Sequence, residues 1–273
     1  MSMFKKTTTK KVEETVTITA KHEEEKSMSS VAPKEIGKLD MIIAFDTTGS
    51  MASYIGAVRQ EVSELIPRLF KDNEDLRLGI VAFGDYCDME SPQVYGDAYQ
   101  CVMPTDYANE LIRFVMESKD TSGGDWEEFY ELVIKKIVDE TPWRDGAKHS
   151  ILLIADAVPH ELGYSYGDCI KGNQIDWREE AKKAAHKKIK IDTVTITDEP
   201  WYKELSKLTN GVSVPFKSGH KTATLVEAAV SSRGTMASRM HFDAMRAKFA
   251  DDAEMNDVFD SYQAERDNIE AED

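Results

Sequence analysis

Met41-Ile42-Ile43-Ala44-Phe45-Asp46-Thr47-Thr48-Gly49-Ser50-Met51 sets the architecture of this chain. An apolar run ends abruptly in an acid, two hydroxyl residues, a glycine and a serine, and a helix-like pattern follows from Ser53. A short, bounded apolar run of this kind reads as a buried parallel strand. In open α/β sheets, ligands collect outside the carboxyl ends of the strands. Asp46, Thr48 and Ser50 therefore stand where chemistry is expected. One carboxylate and two hydroxyls at alternate positions offer only oxygen, which suits a hard cation such as Mg²⁺. The plainer alternative is a strand-to-helix turn in which Thr48 or Ser50 caps the helix.

Outward from this stretch, apolar strands alternate with amphipathic helices. Ile55, Val58, Val62, Leu65, Ile66 and Leu69 recur at helical spacing, and Pro67 is expected to kink or end that helix. Leu76 to Phe83 reads as a second strand and Tyr99 to Met103 as a short one. Asp106 is a candidate cap for a helix bearing Leu111, Ile112, Val115 and Met116. Gly123 and Gly124 permit a sharp turn before a helix marked by Leu132, Val133, Ile137 and Val138. Ser150 to Ala155 is another very apolar strand, and it too ends in an acid, Asp156. A helix opening at Asp176, a strand from Ile189, a helix from Trp201, a strand from Val212 and a helix from Lys221 complete the alternation.

This pattern predicts an α/β fold: a doubly wound, mostly parallel central sheet with helices on both faces. Met240, Phe242, Met245, Phe249, Met255, Val258, Phe259 and Tyr262 predict a C-terminal helical extension, most simply docked on the domain, with a partner-binding role as the sharper alternative. The expected organisation is a flexible segment over 1–35, a folded domain over 36–232, and a helical extension with an acidic tail over 233–273.

The formal net charge of −16 argues against nucleic acid or an anionic membrane as the main partner. No apolar run is long enough to span a bilayer, and Met1 to Lys6 lacks the apolar core of a signal peptide. Cys87, Cys101 and Cys169 are odd in number and widely spaced, which points to free thiols in a reducing, cytoplasmic setting. Lys, Thr and Glu dominate the first 37 residues, a composition that buries too little apolar surface to offset its ordering entropy. Lys182, Lys183, His186, Lys187, Lys188 and Lys190 form a basic run best read as a solvated helix face. Trp126, Trp143, Trp177 and Trp201 read as packing residues.

Asp46, Thr48 and Ser50 resemble the Asp-x-Ser/Thr-x-Ser metal signature of von Willebrand factor type A domains. Asp46 to Met51, Gly123-Gly124-Asp125 with Glu128, and Ala155-Asp156-Ala157 with Pro159-His160 resemble the branch of that family associated with α-kinases and their bacterial and phage relatives. The resemblance covers about Ile36 to Ser231 and implies an antiparallel edge strand at Tyr99 to Met103. It also implies a metal ion-dependent adhesion site built from three loops, holding Mg²⁺ or Mn²⁺. Asp46, Thr48 and Ser50 would supply the first loop and Asp156 the third. The family's second loop carries a threonine. Here Thr121 precedes the glycines and Asp125 follows them, and register with the family motif favours Asp125. No kinase domain is visible, so kinase activity does not carry over.

The resemblance implies a non-enzymatic interaction module whose protein partner completes the metal shell with a carboxylate; an ATPase or a kinase is the partner such domains often work beside. The enzymatic alternative is a haloacid-dehalogenase-type phosphotransferase with Asp46 as nucleophile and Mg²⁺ held by Asp46 and Asp156. That family requires a lysine and a further acid near its last motif, whereas Ile154 to Ala157 offers one acid. His160 beside the site lacks a matched partner for acid–base work and reads as a loop-orienting residue.

Overall fold

The computed structural model describes residues 37–91, 93–164 and 174–272. The expectation for residues 1–35 lies outside them. The strands are β1 (Leu39–Asp46), β2 (Leu76–Phe83), β3 (Tyr99–Thr105), β4 (Glu127–Glu128), β5 (Lys148–Ala155), β6 (Val158–Pro159), β7 (Ile189–Thr195) and β8 (Ser213–Pro215). The helices are α1 (Ala52–Asp72), α2 (Ala108–Glu117), α3 (Tyr130–Glu140), α4 (Trp177–His186), α5 (Pro200–Leu208), α6 (Thr222–Arg233), α7 (Met236–Lys248) and α8 (Ala253–Glu272). Six strands form one sheet in the order β3-β2-β1-β5-β7-β8. All its pairings are parallel except that of the edge strand β3 with β2.

The burial of β1 explains why it lies at the centre. All eight of its residues are buried, and successive side chains serve opposite faces. Met41, Ile43 and Phe45 join a core formed with α1, α2, α6, α7 and α8. Ile42 and Ala44 join a second core formed with α3, α4 and α5. Two-sided burial is what a continuous apolar strand requires, and an alternating one would not survive there. The chain runs from β1 to β2 on one side and later returns to place β5 on the other. The carboxyl ends of β1 and β5 therefore flank a topological switch point, where open α/β sheets bind ligands.

Two details depart from the sequence reading, and a third refines it. Helix α1 continues through Pro67 to Asp72. Ser63, one turn earlier, and Pro67 both lie on the exposed side of α1, so the carbonyl that loses its partner faces water while Val62, Leu65, Ile66 and Leu69 stay packed. Trp126 is 57 % exposed and Met240 is 69 % exposed, whereas Trp177, Trp201, Phe242 and Phe259 are buried. The basic run is largely paired: Lys183 with Asp139 and Glu180, Lys182 with Glu179, and Lys190 with Glu265.

Two acids inside the sheet are neutralised by arginine. Asp40, at the amino end of β1, accepts hydrogen bonds from Arg77 Nε at 3.0 Å and Arg144 Nε at 2.7 Å. Burial alone would raise its pKa, but the two arginines hold it below the ordinary carboxylate value. Asp192 on β7 is fully buried and accepts from Arg233 Nε at 2.9 Å, while Arg233 Nη1 donates to Glu265 of α8 at 2.7 Å. Arg233 thus ties the sheet to the last helix. Arg233→Ala would strand the Asp192 charge in the core. It is expected to destabilise the chain by about 3–5 kcal/mol, the usual cost of removing one partner from a buried pair, read from urea denaturation midpoints.

Candidate metal centre

Asp46 closes β1 and is fully buried. Its Oδ1 accepts from the Thr48 backbone N–H at 2.7 Å, which bends the chain out of the strand. Its Oδ2 accepts from Tyr130 Oη at 3.0 Å. Tyr130 opens α3 and also takes the Ala157 N–H at 3.3 Å, so one phenol joins the loop after β1 to the loop after β5. No arginine or lysine pairs with Asp46 among the described residues. Burial, reinforced by the charge of Asp156, pushes the Asp46 carboxyl up to about 7. That environment is the opposite of the one around Asp40 and Asp192.

The other predicted residues divide into two groups. Thr48 is buried, Ser50 is exposed, and their hydroxyl oxygens lie 3.3 Å apart. Asp156 is 9 % exposed, and its charge acts on Asp46 and Tyr130. Thr197 Oγ1 donates to its carbonyl at 2.7 Å, and Trp201 Nε1 and Tyr202 Oη both donate to the next carbonyl, that of Ala157. Asp46, Thr48, Ser50 and Asp156 thus share one rigid corner.

The second loop behaves differently. Thr121 Oγ1 meets Thr47 Oγ1 at 2.9 Å, and its N–H donates to the Thr47 carbonyl at 3.0 Å. Thr47 Oγ1 donates in turn to Phe83 O. Thr121 is therefore engaged with the side chain that points from β1 toward β2. Asp125 is exposed and lies within ligand distance of Asp85 and His160.

Glu128 is the second-loop carboxylate that borders Asp46. It is 4 % exposed, and its Oε2 has no hydrogen-bond partner. Burial, followed by the charges of Asp46, Asp85, Asp88 and Asp125, pushes its carboxyl up to about 10. Gly123 makes this approach possible. It adopts φ +65°, and a side chain there would come within 2.7 Å of Glu128 Oε1 and 3.2 Å of Thr48 Cγ2. The loop is held down by β4, which pairs in parallel with β6 so that Glu128 opposes Pro159. Glu128 stands in the Gly123-Gly124-Asp125 motif, but its spacing carries no signal that it is buried beside Asp46. Tyr130 carried no signal at all.

The donor set fits a hard divalent cation. Two buried carboxylates, two hydroxyls and an unpartnered carboxylate oxygen are collected with no basic side chain among the described residues, and a divalent ion relieves such crowding.

Comparison with known proteins follows the same lines. The family model for the von Willebrand factor type A domain matches residues 40–227. No curated protein sequence matches the chain. Among solved structures, the pilus adhesin SpaC from Lactobacillus rhamnosus GG superposes with a TM-score of 0.53 at 14% identity, covering 72% of this chain and 30% of the adhesin. Proximal thread matrix protein 1 from the mussel byssus gives a TM-score of 0.50 at 13% identity, covering 71% of this chain and 48% of that one. The chain therefore spans less than half the length of either, and at this identity the likeness concerns the fold.

The loop geometry yields a paired test. Gly123→Ala forces a side chain into a left-handed backbone and against Glu128, and should destabilise by about 1–2 kcal/mol. Gly56→Ala, inside α1 with nothing within 4 Å of the added carbon, should stabilise by about 0.5–1 kcal/mol. Chemical denaturation of the two variants checks both signs.

Proposed function

This chain belongs to the von Willebrand factor type A family, and on that premise we propose that it is a metal-dependent module that recruits a partner protein and catalyses nothing. Type A domains mediate protein–protein interactions, and the proposal adds the ion and the face. The metal ion-dependent adhesion site would hold Mg²⁺ or Mn²⁺ through Asp46, Thr48, Ser50 and Asp156. Of the second-loop residues, family register favours Asp125 over Thr121, but Asp125 stands with Asp85 and His160, so Thr121 would complete the set, with Glu128 beside Asp46. When bound, the ion supplies a Lewis-acidic point for a partner carboxylate. The observation that carries this reading is Asp46: fully buried, close to a second acid, and without the arginine that the other two buried acids of the six-stranded sheet, Asp40 and Asp192, possess.

The chain's own residues prepare that surface. Thr48 N–H and Tyr130 Oη orient Asp46, while Trp201 and Tyr202 fix the loop that carries Asp156. Trp126, next to β4, and Leu162, just after β6, are exposed by 57 % and 58 %. Large apolar side chains on the rim of a polar site suit a protein partner, because buried aromatics dominate interface energetics. The α-kinase-associated branch, and an ATPase or kinase as the partner, rest on the motif resemblance. A cytoplasmic setting is proposed from the odd number of cysteines and the exposed thiol of Cys101. Among the described residues no helix is long and apolar enough to cross a membrane.

A phosphotransferase is not favoured. Both Asp46 oxygens are engaged by hydrogen bonds, and no lysine pairs with Asp46 or Asp156 among the described residues. Asp46→Asn removing a steady phosphatase turnover would reverse this judgement.

Titration of chelator-stripped full chain with Mg²⁺ or Mn²⁺ is expected to release or absorb heat, and at about a hundred times Kd to stabilise the fold by about 2.7 kcal/mol. Asp46→Ala should abolish both effects, and Ser50→Ala should weaken them. In pull-downs, chelator and Asp46→Ala should each release the partner, while deletion of residues 1–31 should not. Absence of heat and of any thermal shift at millimolar metal would sink the proposal.

A further inference from the structure

We infer that Asp85, Asp125 and His160 form a second cation site, separate from the one at Asp46, that takes a divalent ion of the Mn²⁺ type through two carboxylate oxygens and one imidazole nitrogen. One ligand atom from each of the three lies within 4.8 Å of the other two. They come from three different segments: just after β2, the glycine loop before β4, and just after β6.

The state of Asp85 points to a ligand. Its side chain is completely buried, and no side-chain donor lies within hydrogen-bond distance of either oxygen; it meets only main-chain N–H groups of the Tyr86–Asp88 turn that it caps. It faces His160 Nε2 at 3.7 Å, too far for a hydrogen bond. Buried carboxylates are normally hydrogen-bonded, paired or metal-bound. Glu128 Oε2, close by, is buried and unpartnered. No lysine or arginine pairs with Asp85, Asp125, Glu128 or Glu131 among the described residues.

The imidazole is set up as a ligand. His160 is 4 % exposed. Its Nδ1 faces Glu131 Oε1 at 3.5 Å, leaving Nε2 toward Asp85. Glu131 is itself fixed by Tyr86 Oη at 2.8 Å and by the His160 backbone N–H at 3.2 Å. A carboxylate behind one ring nitrogen with the other directed at acids is the usual outer shell of a metal-bound histidine. Mixed carboxylate and imidazole donors suit Mn²⁺, Fe²⁺ or Zn²⁺ better than Mg²⁺. The exposed Asp125 stands at the mouth, where an ion would enter. A comparable cluster elsewhere, Asp72, Glu227 and His241, differs in kind: Arg68 donates to both oxygens of Glu227, at 3.3 and 3.0 Å, and supplies the positive charge.

Mn²⁺ titration of the full chain, followed by electron paramagnetic resonance, tests this. The Asp46 site offers only oxygen, so ¹⁴N coupling in pulsed spectra reports the second ion. Two ions per chain are expected, one of them nitrogen-coupled. Asp46→Ala should keep the coupling and His160→Ala should erase it. Asp125→Ala, at an exposed position, should weaken the nitrogen-coupled ion by at least about tenfold without changing the melting temperature of the metal-free chain. One ion without nitrogen coupling would overturn the second site and leave the Asp46 reading intact. Coupling that survives His160→Ala, or unchanged affinity in Asp125→Ala, would also overturn it. A nitrogen-coupled ion in the absence of an oxygen-only one would support this site and count against the other.

Discussion

A carboxylate buried in a two-sided parallel sheet must be neutralised, and this chain does so in two ways. At the amino end of β1, Asp40 lies under Arg77 and Arg144, and inside β7, Asp192 lies under Arg233. At the carboxyl end, Asp46, Asp85 and Glu128 are as deeply buried, yet among the described residues none is paired with an arginine; Asp46 meets the Thr48 N–H and the Tyr130 hydroxyl, and Asp85 meets main-chain N–H groups. Burial raises the pKa of all three, to about 7, 6 and 10. The crowding is local and directional. It lies where the strand order switches between β1 and β5, the one place where a doubly wound sheet opens to ligands.

The surrounding structure keeps those acids from relaxing apart. Tyr130 links Asp46 to the Ala157 backbone, β4 and β6 stitch the second loop to the third, and Trp201 and Tyr202 clamp the Ala157 carbonyl. Gly123 brings Glu128 against Thr48 through a backbone conformation that other residues rarely adopt. Rigid walls with exposed tips at Ser50, Asp125, Trp126 and Leu162 are the arrangement expected of a preorganised binding face, where function sits on loops held by a fixed scaffold.

The C-terminal helices belong to the same energetic unit as the sheet face they cover. Phe242, Met245, Met255, Val258, Phe259 and Tyr262 enter the core that also contains Met41, Ile43 and Phe45. Glu265 reaches both Arg233 and Lys190. Their stripe is thus filled from within the chain.

The periodicity of the chain by itself determined the order of strands and helices, because two-sided burial demands continuous apolar runs at β1 and β5 and a 3.6-residue stripe on each helix. It also placed Asp46 and Asp156 at the ends of apolar strands, while the antiparallel edge strand was implied by the family resemblance. It missed the continuation of α1 through Pro67, since only the fold shows which carbonyl faces water, and it misjudged Trp126, since propensity to pack does not reveal which side a loop residue takes. Only the tertiary structure decided which acids share space. Glu128 next to Asp46, and Asp85 with Asp125 and His160, lie far apart in sequence and meet through a positive-φ glycine and a two-residue strand pairing. Whether a buried acid finds an arginine or another acid depends on which strand ends are neighbours, and that is a property of the folded sheet and of no single stretch of the chain.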